Sequence, residues 1–86
     1  MKIVFHKNFD KQYNKLRMEQ KKRVKERLFL FSENPYHPVL GSHPLKGKYL
    51  GYRSINVTGD LRAVYKFVDS NRCIFVAVDT HSNLYS

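Results

Sequence analysis

Tyr52-Arg53-Ser54-Ile55-Asn56-Val57, Leu61-Arg62-Ala63-Val64-Tyr65-Lys66-Phe67-Val68 and Arg72-Cys73-Ile74-Phe75-Val76-Ala77-Val78-Asp79 follow one another with only Thr58-Gly59-Asp60 and Asp69-Ser70-Asn71 between them. β-Branched and aromatic residues fill the three runs and turn formers separate them, which predicts two consecutive hairpins in a largely antiparallel sheet. In the last run Ile74, Val76 and Val78 alternate with Phe75 and Ala77, so it is apolar on both faces and predicts a central strand. The middle run places Leu61, Ala63, Tyr65 and Phe67 on one face and Arg62, Val64 and Lys66 on the other. A three-residue loop at Thr58-Gly59-Asp60 sets Asn56 opposite Arg62. A two-residue loop sets Val57 there instead.

Towards the N-terminus, Lys2-Ile3-Val4-Phe5 fits a short first strand, and Asn8 offers a cap for a helix with Asp10 in its first turn. Phe9, Tyr13 and Leu16 share one helical face beside a row of Lys7, Lys11 and Lys15. A second helix is predicted from Gln20 to Glu33, with Val24, Leu28 and Phe31 inward and Phe29 and Leu30 widening the stripe. Asn34-Pro35 stops it, because a residue before proline is pushed out of the helical region. Tyr36 to Lys48, punctuated by Pro38, Gly41, Pro44 and Gly47, reads as a loop. The expected architecture is α+β, in the order β-α-α-β-β-β, with two N-terminal helices on one face of a twisted, largely antiparallel sheet and the other face open.

With 86 residues the chain has room for one domain and one core, so a site is expected in a surface cleft. The net charge of +9 is carried by both halves, with the larger share in residues 1–34. Such a field attracts polyanions, and equally an acidic protein. The single cysteine, Cys73, is expected to be a small buried hydrophobe, which fits a reducing compartment. No apolar run reaches signal-peptide or membrane-spanning length, so a cytoplasmic protein without membrane contact is expected.

Past the last strand comes Thr80-His81-Ser82-Asn83-Leu84-Tyr85. Cleaving RNA through side chains takes a base for the 2′-hydroxyl, cations for the charge-rich phosphorane and an acid for the leaving 5′-oxygen. Histidine transfers protons near neutral pH without tuning, which makes His81 a candidate. Arg62 and Arg53 offer planar multi-donor cations suited to phosphate, and Lys46 and Lys48 add more. Tyr85 can stack on a base or hydrogen-bond near the phosphate. Asp60 and His43 are the candidates for the base or for orienting it, although a Gly-Asp turn alone would explain Asp60. The Lys21-Lys22-Arg23-Val24-Lys25 run is most simply a solvated helix face, and Tyr52, Tyr65 and Phe75 are most simply core. His6, His37, His43 and His81 lack zinc-site spacing, and no glycine-rich phosphate loop or serine elbow is present, so neither metal nor cofactor is expected.

Lys46-Gly47 with Gly51-Tyr52-Arg53, then Asp60-Leu61-Arg62-Ala63-Val64-Tyr65-Lys66, then Thr80-His81-Ser82-Asn83-Leu84-Tyr85 resemble, in that order, the RelE/YafQ branch of the RelE/ParE toxin superfamily. The resemblance extends over nearly the whole chain. It implies a ribosome-dependent messenger-RNA endonuclease, monomeric when free, hetero-oligomeric with an antitoxin that blocks its site. It further implies His81 as general acid, Tyr85 as the aromatic group four residues on, Asp60 as the acid after the hairpin and His43 as the loop histidine. Arg62 resembles the RelE-type arginine that holds the scissile phosphate. Two positions depart from the YafQ-like pattern: Asn56 stands where a second strand histidine is expected, and Leu61 where a tryptophan is. Asparagine is no general base, so the chain is a hybrid in which Asn56 serves at most to bind substrate. The alternatives on the same fold are a ParE-like, non-enzymatic inhibitor of DNA gyrase and a catalytically degenerate member that only binds antitoxin.

Overall fold

Strand pairing follows the hairpins read from the sequence. The structure, a computed structural model, describes residues 1–85. Its sheet contains β1 (Lys2–Phe5), β2 (His43–Pro44), β3 (Arg53–Asn56), β4 (Leu61–Asp69) and β5 (Arg72–Thr80), in the order β1-β5-β4-β3-β2. β1 runs parallel to β5 and every other pair is antiparallel. The β3–β4 register sets Asn56 opposite Arg62, which selects the three-residue loop. Strand β2 forms inside the stretch expected to be loop: His43 pairs with Ser54, and one 3₁₀ turn precedes it (Pro38–Leu40) and another follows it (Gly47–Tyr49).

Helices α1 (Lys7–Asn14) and α2 (Met18–Glu33) cover one face of the sheet. Phe9, Val24 and Phe31 pack there on Ile55, Leu61, Ala63, Tyr65, Cys73, Phe75 and Val78. Phe31 sets its ring edge-on to Tyr65 at 4.8 Å and to Phe75 at 5.1 Å. Phe29 is 68% exposed and takes no part in the stripe, while Leu30 does. Helix α2 starts two residues before Gln20, because the Gln20 side chain accepts the backbone N–H of Arg17 and so belongs to the first turn. Helix α1 is capped by His6, whose Nδ1 accepts from the Asn8 N–H, and not by Asn8 as the sequence suggested.

Asn8 has other work. Val64 pairs with Ala77 and Tyr65 with Phe75, so Val76 is an extra residue, a bulge in β5. The strict alternation expected of this strand therefore breaks. Phe75 and Val78 both face the helices, while Val76 and Ala77 face away. Where β1 has ended, Asn8 Nδ2 donates to the Val76 carbonyl at 2.9 Å and Gln12 Oε1 accepts from the Val78 N–H at 2.9 Å. Two side chains of α1 thus replace the missing strand partner.

The second face of the sheet is not open. A short helix, α3 (His81–Tyr85), folds back so that Leu84 packs with Leu45, Val64 and Ala77, beside Tyr49, Tyr52 and Val76. No helix among the described residues is long and apolar enough to cross a membrane. Cys73 is fully buried between β1 and β4, and burial pushes its thiol up to about 11. The neutral thiol favours the folded state below the unfolded value of 9.0, and that contribution is lost as pH rises from there through about 11. Folded protein at pH 8 is expected to resist iodoacetamide and to react only after denaturant is added. Rapid labelling without denaturant, followed by mass spectrometry, would contradict this burial.

Candidate active site

Three rows of residues cross the second face of the sheet, fixed by the strand registers. Asn56, Arg62 and Asp79 form the first, His43, Ser54, Val64 and Ala77 the second, and Lys66 and Ile74 the third, with the Lys66 ammonium 5.1 Å from the Tyr52 ring just before β3. Side chains opposite one another on neighbouring strands share a face. Arg62, Asn56 and His43 are thereby brought to one side of the sheet, the side over which α3 lies.

The β3–β4 loop gathers the first of these. Thr58 Oγ1 accepts from the Leu61 N–H at 3.0 Å and from the Asp60 N–H at 3.3 Å, which closes the turn. Arg62 Nη1 donates to the Thr58 carbonyl at 2.8 Å and to the Leu61 carbonyl at 3.2 Å. The Asp60 carbonyl accepts the His81 N–H at 2.9 Å. Arg62 and His81 are therefore anchored to the same short loop from two strands. Arg62 is half-buried and has no carboxylate partner in an ion pair among the described residues.

Helix α3 presents His81 because the strand ends in its own cap. Thr80 Oγ1 accepts from the Asn83 N–H at 3.2 Å, and Asp79 Oδ1 accepts from the Thr80 N–H and from Asn83 Nδ2. With His81 at the first helical position, Tyr85 follows one turn later, and their rings meet at 4.7 Å. Both are exposed. Asp79, which lies opposite Arg62 and holds the start of α3, was not singled out from the sequence. Its signal was present in Asp79-Thr80, an acid and a hydroxyl where a strand turns into the motif.

The other expected residues divide. His43 is exposed on β2 with Nδ1 at 2.9 Å from the Gly41 carbonyl. Asn56 lies across Gly41, where any Cβ would stand 2.5 Å from its Nδ2, and the φ of +54° at that position also favours glycine. Ser54, between His43 and Val64, is fully buried with no partner for its hydroxyl among the described residues. Lys46 and Lys48 are exposed on either side of Gly47, with Lys48 Nζ 5.5 Å from the Tyr49 ring centroid. Arg53 does not join Arg62. It sits opposite Tyr65 on the helix-packed face, where its Nε donates to Ser42 Oγ and its guanidinium lies 5.7 Å from the Tyr36 ring. The alternation of β3 explains this, since Arg53 and Asn56 are three residues apart and must point to opposite faces. No group of three or more histidine, cysteine, aspartate or glutamate side chains that could hold a metal ion occurs among the described residues.

Comparisons with known sequences and structures bear on the family and the fold. A family model described as the bacterial toxin of type II toxin-antitoxin system, YafQ, matches residues 1–86. The crystal structure of YafQ from Escherichia coli BL21(DE3) is similar, with a TM-score of 0.77 and 25% identity over 98% of this chain and 97% of that one. YafQ in the E. coli DinJ-YafQ toxin-antitoxin complex superimposes with a TM-score of 0.69 at 25% identity, over 98% and 96% of the two chains. The YoeB/ParE toxin from Agrobacterium tumefaciens shares the fold, with a TM-score of 0.78 and 22% identity over 94% and 99%. No curated protein sequence matches. The two-layer sheet and helix arrangement is that of the RelE/YafQ-like toxin superfamily. Within it, the chain belongs to the YafQ family, bacterial toxins of type II toxin-antitoxin systems.

Proposed function

We propose that this toxin cleaves messenger RNA on the ribosome, in the cytoplasm, at a linkage held between Arg62 and His81. The observation that carries the proposal is the shared anchorage of those two residues on the Thr58–Asp60 loop, Arg62 through its guanidinium and His81 through its backbone N–H, with the guanidinium in no carboxylate ion pair among the described residues. A cation left unneutralised beside a proton-transferring group is what a phosphodiester needs. The 2′-oxygen attacks phosphorus and forms the cyclic phosphate. The P–O5′ bond breaks, and His81 delivers a proton to the departing 5′-oxygen.

Asp60 takes the 2′-hydroxyl proton, because it lies in the loop that holds both partners. His43 stands two strands from Arg62, roughly 10 Å at the ordinary strand spacing, and serves with Asn56 and Lys46 in binding the strand. Tyr85 stacks on a base beside the imidazole. Arg53, on the opposite face, stabilises the loop through Ser42 and Tyr36 and leaves the clamp to Arg62. The ribosome supplies the orientation of the message that a shallow surface site cannot supply alone. An antitoxin partner fits the family, as in the DinJ-YafQ complex.

Primer extension on messages translated in vitro tests the activity. Wild-type protein is expected to leave codon-spaced 5′ ends only when the message is being translated. Arg62→Ala is expected to lower their rate of appearance by roughly 10- to 100-fold, the worth of one charge-assisted contact made in the transition state. No ends with wild-type protein, together with inhibition of gyrase supercoiling, would replace this function with the gyrase reading.

A further inference from the structure

The surface bearing His81 continues in a direction the cleavage chemistry does not use. From His81 the rings run on through Tyr85 to Tyr49 at 6.2 Å and from Tyr49 to Tyr52 at 6.1 Å, each tyrosine pair edge to face. Two ammonium groups hang over the far rings: Lys48 Nζ is 5.5 Å from the Tyr49 centroid and Lys66 Nζ 5.1 Å from that of Tyr52. Beside them opens a groove of about 350 Å³ lined by His6, Asn8, Lys48, Tyr49, Tyr52 and Val76. Among the described residues no carboxylate lines it. Tyr49 and Tyr52 are half-buried, so their rings are fixed by the Leu45, Val64, Ala77 and Leu84 cluster below and still reach solvent. Burial and the neighbouring Tyr85, Asp79 and Tyr52 push the Tyr49 phenol above its ordinary value, which keeps it a neutral donor.

We propose that this groove is a second nucleotide subsite, in which Tyr49 and Tyr52 stack a base of single-stranded message flanking the cut and Lys48 and Lys66 hold the adjoining phosphates. It rests on the RNA-cutting assignment of the His81 site and extends it along the strand. Rigid aromatic faces interleaved with cations that form no ion pair among the described residues suit a nucleotide, which presents a π-face and an anion together. An acidic protein segment would engage the two lysines and leave the rings without a matching partner. The Tyr52 side chain, read from the sequence as core, thus becomes a platform because the chain turns it to the face opposite Tyr65.

Fluorescence anisotropy with a labelled 2′-O-methyl hexauridylate tests this without any cutting, since that oligonucleotide lacks the attacking hydroxyl. The Tyr49→Leu/Tyr52→Leu double variant is expected to bind it about 10-fold more weakly or worse. Lys48→Gln/Lys66→Gln is expected to flatten the dependence of log affinity on log salt by about 1.4, at ~0.7 per phosphate contact on a single strand. Both lysines are exposed, so this variant decides the matter even where the tyrosine variant fails to fold. Affinity and salt slope equal to wild type would overturn the subsite. So would unchanged RNA affinity with lost binding of a hexaglutamate peptide, which would assign the groove to an acidic protein segment. Failure of message cleavage by wild type, with the binding pattern intact, would instead count against the cutting assignment alone.

Discussion

His81→Ala is expected to lower the rate of message cleavage on the ribosome by about 100-fold or more while leaving the melting temperature unchanged. A positioned general acid contributes about 10²- to 10⁴-fold, and no other histidine shares the loop that anchors Arg62. The fold has little stake in the imidazole. It is exposed, its ring contact is with Tyr85, and the bond that ties this position to Asp60 comes from the backbone N–H, which alanine keeps. Primer extension on translated messages, with a thermal melt of the same preparation, checks both halves. Undiminished cutting by the alanine variant would remove His81 from the chemistry, and a large fall in melting temperature would give it a structural role instead.

Phe31→Ala carries the largest expected effect on stability. The ring is fully buried, edge-on to both Tyr65 and Phe75, at the point where α2 presses on the centre of the sheet. Removing it deletes apolar burial and two aromatic contacts and leaves a cavity that helix and sheet can close only in part. The cost is about 3–5 kcal/mol, against total stabilities of about 5–15 kcal/mol for small proteins. At ~4–8 °C per kcal/mol for a chain of this size, the melting temperature is expected to fall by more than about 12 °C. Phe29→Ala, two positions earlier and 68% exposed, is expected to change stability by no more than ~0.5 kcal/mol. Equal losses for the two would mean that α2 is rotated from the orientation described.

The contrast between those phenylalanines shows where sequence reasoning succeeds and where it stops. Val24, Leu28 and Phe31 were legible as an inward face from helical spacing, and the three long strands from their composition and turns. The Asn56–Arg62 pairing was legible once the loop was taken as three residues. Phe29 was not, because apolar character says nothing about angle. The bulge at Val76 was hidden for a related reason: with apolar residues on both faces, no break in pattern marks the inserted residue, and its partners Asn8 and Gln12 are over 60 residues away in the chain. Strand β2 depends on pairing with Ser54 and Arg53, and its own two residues, one a proline, carry no strand signal. At the site, His81, Tyr85, Asp60 and Arg62 were visible as residue types in a motif. The separation of Arg53 from Arg62 follows from alternation in β3 once its core face is known. Tyr49 could not be joined to Tyr85 from sequence, since only the return of α3 over the sheet brings the two together.

The central claim is that Arg62 and His81 act on one phosphodiester, and a double-mutant cycle on cleavage of translated messages tests it most directly. Rates for wild type, Arg62→Ala, His81→Ala and the double variant are compared. Groups that serve the same transition state are not additive, so the double variant is expected to cut little more slowly than His81→Ala alone. Losses that multiply, or an Arg62→Ala protein that cuts at the wild-type rate, would show that the guanidinium and the imidazole do not share a linkage.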